Sequence, residues 1–292
     1  MTRPDAAVPL VLGAGGMLGT AVAQALEQDY PDTIAATRVE LDVTDRFRLE
    51  GEIERLRPTV VINCAAYADV DGCEVDTDRA RRVNADGAEN AARAAAAAGC
   101  RIIHVSTDFV FDGRGRRPYL EADPPAPLSV YGRSKLEGER RVAAVAPDHL
   151  VLRTSWLYGA GRGNFVDTVR ERALAGEVLK VVDDQHGSPC YAADLARAVA
   201  RLLAIDHRGV VHFANAGGCS RYELAEAILE EIQPPAAGLV AIRTEDAGRL
   251  APRPAYSVLD TSLYARLAGG PPRPWREALR DYLGGAGRAP GA

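Results

Sequence analysis

The sequence predicts a doubly wound α/β fold of the Rossmann type with a smaller C-terminal lobe. Three observations carry this expectation. Apolar runs of five or six residues recur through the first half of the chain without the alternation of a half-solvated strand. Helical patterns of 10 to 20 residues separate them, the rhythm of a parallel sheet covered on both faces. A glycine triplet directly follows the first run and opens the first helix.

Taken in order, residues 8–12 are the first strand and 17–27 the first helix. Residues 33–37 form the second strand, 46–56 a helix and 59–64 the next strand. Residues 77–98 make a long Ala-rich helix; Ala favours helix and is no sign of a membrane segment. A strand at 101–106, a helix at 134–145 and a strand at 150–154 complete the repeat. From Ser155 the rhythm loosens as Gly and Pro become more frequent, with helices at 164–175, 191–204 and 220–232, a strand at 210–214 and a Pro-rich final stretch. The expected division is a dinucleotide-binding Rossmann domain over 1–154, a mainly substrate-binding lobe over 155–283, and a disordered tail over 284–292, GGAGRAPGA.

With 292 residues and 47% hydrophobic content the chain can bury a sizeable core, and its net charge of −5 argues against nucleic acid as a partner. Cys64, Cys73, Cys100, Cys190 and Cys219 are odd in number, scattered and free of C-x-x-C spacing. They read as reduced thiols, which points to a cytoplasmic protein without a disulfide frame. The isolated histidines and scattered thiols suggest no metal site. The first apolar run is too short for a signal core or a membrane span, so no membrane partner is expected.

In VLGAGGMLG, Gly13, Gly16 and Gly19 allow a tight turn and close backbone approach to a pyrophosphate, whose charge would meet the helix N-terminus at Met17 and Leu18. The second strand ends in Thr37 and Arg38, where an acidic residue would suit a free ribose 2′-hydroxyl. Arg38 suits a 2′-phosphate, which favours NADPH over NADH. Asp42 and Val43 follow, placed to bond an adenine edge. The run VINCAAY ends in small residues, Cys64, Ala65 and Ala66, over which a flat cofactor could lie, and Tyr67 comes next.

The strand in RIIHVSTD delivers Ser106, Thr107 and Asp108 to the carboxyl end of the sheet, where open α/β folds bind ligands. YGRSK then supplies Tyr131 and Lys135. Of 35 Lys and Arg residues only Lys135 and Lys180 are lysine, so a lysine four residues after a tyrosine is conspicuous. Positions i and i+4 share a helical face, and a cation within about 4–6 Å lowers an acid's pKa by about 1–3 units. The expected catalytic set is therefore Thr107, Tyr131 and Lys135, with the Tyr131 hydroxyl brought down toward neutrality.

GAGGMLG, STD and YGRSK together resemble the extended short-chain dehydrogenase/reductase superfamily. DDQHGSPCYAADLA and RPAYSVLD are similar to the D-Q-x-G-x-P-T and R-P-x-x-S-x-L-D segments of the dTDP-4-dehydrorhamnose reductase family, and the likeness runs from Val8 to Tyr282. It implies a dTDP-sugar substrate, dTDP-4-dehydro-β-L-rhamnose reduced to dTDP-L-rhamnose with NADPH or NADH. It also implies residue roles. Tyr131 would donate the proton, with Lys135 beside it and on the cofactor; Thr107 would bond the 4-keto oxygen, Asp108 a sugar hydroxyl, and Trp156 the substrate. Cys190 departs from the family's Thr, and Tyr67 and Ala68 differ from many members. A homodimer, and a Mg2+ ion bridging subunits as in some members, are compatible with the sequence and not indicated by it. Related readings of the same motifs are an antibiotic-pathway reductase such as dTDP-dihydrostreptose synthase, a nucleotide-sugar epimerase or 4,6-dehydratase, and a non-catalytic regulatory subunit. Phe109 stands where such a dehydratase carries Glu.

Overall fold

The computed structural model describes residues 7–161 and 163–286. The chain begins with β1 (Pro9–Leu12), α1 (Met17–Glu27), β2 (Ile34–Ala36), α2 (Arg46–Leu56) and β3 (Val60–Asn63). Two short helices, α3 (Val70–Val75) and α4 (Thr77–Arg81), run through a π-helical turn at Arg82–Asp86 into α5 (Gly87–Ala97). Then come β4 (Arg101–Thr107), α6 (Val130–Val145) and β5 (His149–Thr154). The second half adds β6 (Leu157–Tyr158), α7 (Phe165–Leu174), β7 (Val178–Val182), β8 (His186–Gly187), β9 (Cys190–Tyr191), α8 (Ala192–Leu203), β10 (Gly209–His212), β11 (Cys219–Ser220), α9 (Arg221–Ile232), β12 (Gly238–Ile242), α10 (Ser262–Ala268) and α11 (Trp275–Asp281).

Six strands form one parallel sheet in the order β10-β5-β4-β3-β1-β2. Both faces are covered, which is why every residue of β1 and β3 is buried and neither strand alternates. Val11, Ile62, Ile103 and Leu152 pack with α1 and α8 on one face; Leu10, Leu12, Val61 and Ile102 pack with α2, α5 and α6 on the other. From β1 the order proceeds one way to β2 and the other way to β3, so the β1/β3 boundary is the switch point at which such sheets bind ligands. A separate core around Tyr158, Val166, Leu179, Leu224, Ile228 and Trp275 holds the C-terminal lobe.

The structure differs from the sequence expectation in several places. The chain leaves the sheet after residue 154, but α8 packs against α1 and β10 pairs with β5, so residues 192–212 return to the first layer. The helix expected over 134–145 starts earlier, at Val130, because Ser129 caps it by accepting from the Gly132 N–H at 3.1 Å. The helix expected over 77–98 is broken by the π turn. There Asn84 is fully buried, its Nδ2 donating to the Tyr67 carbonyl at 3.0 Å and to Ser134 Oγ at 3.0 Å while its Oδ1 accepts from the Tyr67 N–H at 2.8 Å. Such single π turns often mark functional sites. Of the tail expected over 284–292, residues 284–286 belong to a last turn, Tyr282–Ala286, and 287–292 lie outside the described residues. Among the described residues no helix is long and apolar enough to cross a membrane, and all five cysteines are free.

The π turn and α6 touch through Gly138, where a Cβ would lie 2.2 Å from the Asn84 carbonyl oxygen. Gly138→Ala is expected to cost about 1–3 kcal/mol as overpacking. Gly51→Ala, in α2 with nothing within 4 Å of the added carbon, should be neutral or gain up to about 1 kcal/mol. Urea unfolding midpoints distinguish the two; equal midpoints would refute the close approach.

Candidate functional site

At the switch point Gly13 has φ +77°, and a Cβ there would sit 2.8 Å from the Ala65 nitrogen. Gly19 faces the same turn, where a Cβ would fall 2.2 Å from the Gly13 carbonyl oxygen. No side chain caps α1 at Gly16, so its first N–H groups have no side-chain acceptor at the cap. Met17 is partly buried, and Leu18 puts its side chain into the core. Ala65 is partly buried and Ala66 exposed along the opposite wall. This cradle of small residues and uncapped amides fits a dinucleotide diphosphate.

Arg38 is exposed at the end of β2, its Nε donating to Asp42 at 3.1 Å. The other Asp42 oxygen accepts from the Thr44 N–H and hydroxyl at 2.9 and 2.8 Å. The Asp42 carboxylate expected at an adenine edge thus also holds its own loop, and these bonds outweigh its burial to lower its pKa. Val43 is buried against Gly87, and its carbonyl accepts from Asn90. Tyr67 is clamped by Asn84 and carries the Arg79 guanidinium 4.3 Å from its ring centroid.

Thr107 ends β4. Its hydroxyl donates to Asp108 at 3.1 Å and accepts from the Phe109 N–H at 3.2 Å, and it lies near enough to the Tyr131 hydroxyl to influence it. Tyr131 packs edge-on against Phe109, with ring centroids 5.6 Å apart. Gly132 is glycine because a Cβ there would meet the Phe109 carbonyl at 2.2 Å, so α6 lies directly on the end of β4. One turn further, the buried Lys135 donates from Nζ to the Val105 carbonyl at 2.7 Å.

The sequence brings Thr107, Tyr131 and Lys135 together as expected, but the electrostatics of Tyr131 run the other way. Burial pushes its hydroxyl up, the Thr107 bond opposes this, and the nearby Asp108 and Cys73 add to the rise. Lys135 is engaged with Val105 and is itself brought down to about 8, chiefly by burial. Desolvation wins because both groups lie in the wall of the crevice. Tyr131 is therefore a firmly protonated donor.

Asp108 is almost fully buried and raised by burial, although its Oδ2 accepts from Ser257 at 2.6 Å and Ser155 at 3.0 Å. Trp156 sits at φ +42° with its indole pressed on Gly187, where a Cβ would lie 2.3 Å away. The Arg221 guanidinium stacks 3.6 Å from the Trp156 ring centroid. Behind the site Glu139 pairs with Arg153 at 2.7 Å, both sealed from solvent, and accepts from Ser106. Sequence reasoning missed Asn84, Ser155, Ser257, Arg221 and the Glu139–Arg153 pair. Ser257 lay inside the RPAYSVLD segment; the others gave no local signal. Among the described residues no cluster of His, Cys, Asp and Glu could hold a metal.

A dinucleotide cradle at the switch point, with a threonine, a tyrosine and a lysine at its lip, defines a short-chain dehydrogenase/reductase of the extended type. Within that class the chain belongs to the RmlD substrate binding domain family, whose model matches residues 9–286. It is 42% identical over 274 residues to the spore coat polysaccharide biosynthesis protein SpsK of Bacillus subtilis, covering 94% of this chain and 96% of that one. It is 43% identical over 280 residues to the dTDP-4-dehydrorhamnose reductase of Mycobacterium tuberculosis, covering 94% and 91%. The crystal structure of dTDP-4-dehydrorhamnose reductase from Bacillus anthracis in complex with NADP superposes with a TM-score of 0.91 at 34% identity, over 95% of this chain and 98% of that one.

The Gly187 contact makes a specific expectation. Gly187→Ala displaces the Trp156 indole and should raise KM for the sugar substrate by about tenfold to a hundredfold while leaving the dissociation constant for the cofactor within twofold. Steady-state kinetics and fluorescence titration read the two; an unchanged sugar KM would sever Trp156 from the substrate.

Proposed function

We propose that this chain reduces the 4-keto group of a dTDP-4-keto-6-deoxy-L-hexose, dTDP-4-dehydro-β-L-rhamnose, to dTDP-L-rhamnose, with NADPH preferred over NADH. The observation that carries the reading is the convergence of Tyr131, on α6, with Thr107 at the carboxyl end of β4, and of a buried lysine one turn behind. The Gly13–Gly19 turn with Ala65, Ala66 and Tyr67 would hold the nicotinamide cofactor, which when bound would supply the hydride.

Thr107 orients the keto oxygen, and Tyr131 delivers a proton to the forming alkoxide. A hydroxyl held protonated suits a reductase, which must give a proton at each turnover. Lys135 would hold the cofactor's ribose hydroxyls as a compact ammonium. Asp108 accepts from a sugar hydroxyl, its own position fixed by Ser155 and Ser257. Trp156 and the stacked Arg221 form the wall against the sugar nucleotide, where the guanidinium can meet a phosphate. Phe109, packed on Tyr131, leaves no second carboxylate for the elimination a dehydratase performs. Five free cysteines support a reducing, cytoplasmic setting.

Tyr131→Phe keeps the ring packing and removes the proton. It should lower kcat by about 10²–10⁴-fold with NADPH and the dTDP-4-keto sugar. Near-normal turnover, followed at the NADPH absorbance, would end the assignment. Arg38 faces solvent beside the adenosine end of the cradle, so Arg38→Glu should raise KM for NADPH at least tenfold with little effect on NADH. Equal effects on both would remove the 2′-phosphate contact.

A further inference from the structure

A line of polar contacts runs behind the crevice from the glycine turn to Lys135, and it fixes a histidine tautomer. The N–H of Ala65, against which Gly13 is pressed, donates to Asn63 Oδ1 at 3.1 Å. With its oxygen committed, Asn63 turns Nδ2 toward His104 Nδ1, 3.2 Å away. An amide nitrogen only donates, so Nδ1 is the acceptor and the imidazole proton sits on Nε2. Nε2 in turn faces Lys135 Nζ at 3.5 Å, while Nζ donates to the Val105 carbonyl. His104 is fully buried, and burial with the neighbouring Lys135 charge holds it well below its ordinary pKa, hence neutral.

An N–H directed at an ammonium is repelled, whereas the lone pair of a neutral amine accepts it. We infer that His104, with its tautomer set by Asn63, is a positioning residue that acts through Lys135 by favouring the amine over the ammonium. The inference rests on the assignment of Lys135 to the cofactor and adds what governs its protonation. The other groups facing Lys135 are the Cys64 thiol after β3, pushed up to about 12 by burial and so uncharged, and Glu139 on the next turn of α6. Glu139 favours the ammonium, but its charge is shared with Arg153 from β5. Burial is the largest influence and Lys135 stands at about 8. The ammonium is the working form, present below that pH and lost above it, so kcat/KM should fall as pH rises through about 8.

The tautomer is read directly by two-bond 1H–15N couplings of 15N-histidine-labelled protein at pH 7, the His104 signal being assigned by its loss in His104→Gln. The expected state is a neutral Nε2–H imidazole; an Nδ1–H imidazole overturns the inference. This measurement uses neither substrate nor cofactor, so its outcome is separate from that of the catalytic reading. The pH profile of kcat/KM supplies the second readout. In His104→Gln the amide can rotate its oxygen toward the ammonium, and in Asn63→Leu the imidazole is released to protonate Nδ1 and accept at Nε2. Both should move the alkaline limb upward by about one pH unit. A limb left in place in both variants, with only the plateau lowered, assigns His104 to packing and overturns the inference.

Discussion

The site depends on how closely α6 lies against the end of β4 and the π turn. Gly132 rests on the Phe109 carbonyl and Gly138 on the Asn84 carbonyl, and at each a Cβ would lie 2.2 Å from the oxygen. A side chain at either contact would push the helix away, so the glycines set it at a depth that its neighbours use. Just before the first glycine Tyr131 lies against Thr107, and between the two glycines Lys135 reaches Val105. Ser134, on the same stretch, accepts from Asn84, which clamps Tyr67 at the cofactor wall. One close approach thus ties Tyr131 and Lys135 to Asn84 and Tyr67.

That depth also sets the electrostatics. Burial outweighs the neighbours at Tyr131, Lys135 and Asp108, raising the two acids and lowering the base. Each shift favours the neutral form, as low polarisability requires. Behind them Glu139 and Arg153 are buried as a pair, each supplying the other's counter-charge, with Ser106 donating to Glu139. Removing one member would leave an uncompensated buried charge, at a cost of about 3–5 kcal/mol.

Much of this was legible in the chain because it is local. A glycine turn between strand and helix, hydroxyls at a strand end and a Tyr-x-x-x-Lys on one helical face all depend on spacings of a few residues. The features that escaped join distant positions. Asn84 meets Ser134 across 50 residues, and His104 meets Asn63 across 41. The strand at 209–212 is short and apolar, and nothing in it says that it returns to β5. The Tyr131 shift was expected in the wrong direction because a helical spacing shows which residues share a face but not how much water they keep. His104 was visible as a lone histidine in a buried strand; its role needed the amide of Asn63 beside it.

The central claim, a reduction at C4 of a dTDP-keto sugar, is tested most directly by NMR of the product formed from dTDP-4-dehydro-β-L-rhamnose and NADPH deuterated at the transferable C4 position. The expected product is dTDP-L-rhamnose carrying deuterium at its own C4. Deuterium at another carbon, a product that has lost water, or an unchanged substrate with the intact protein would contradict it.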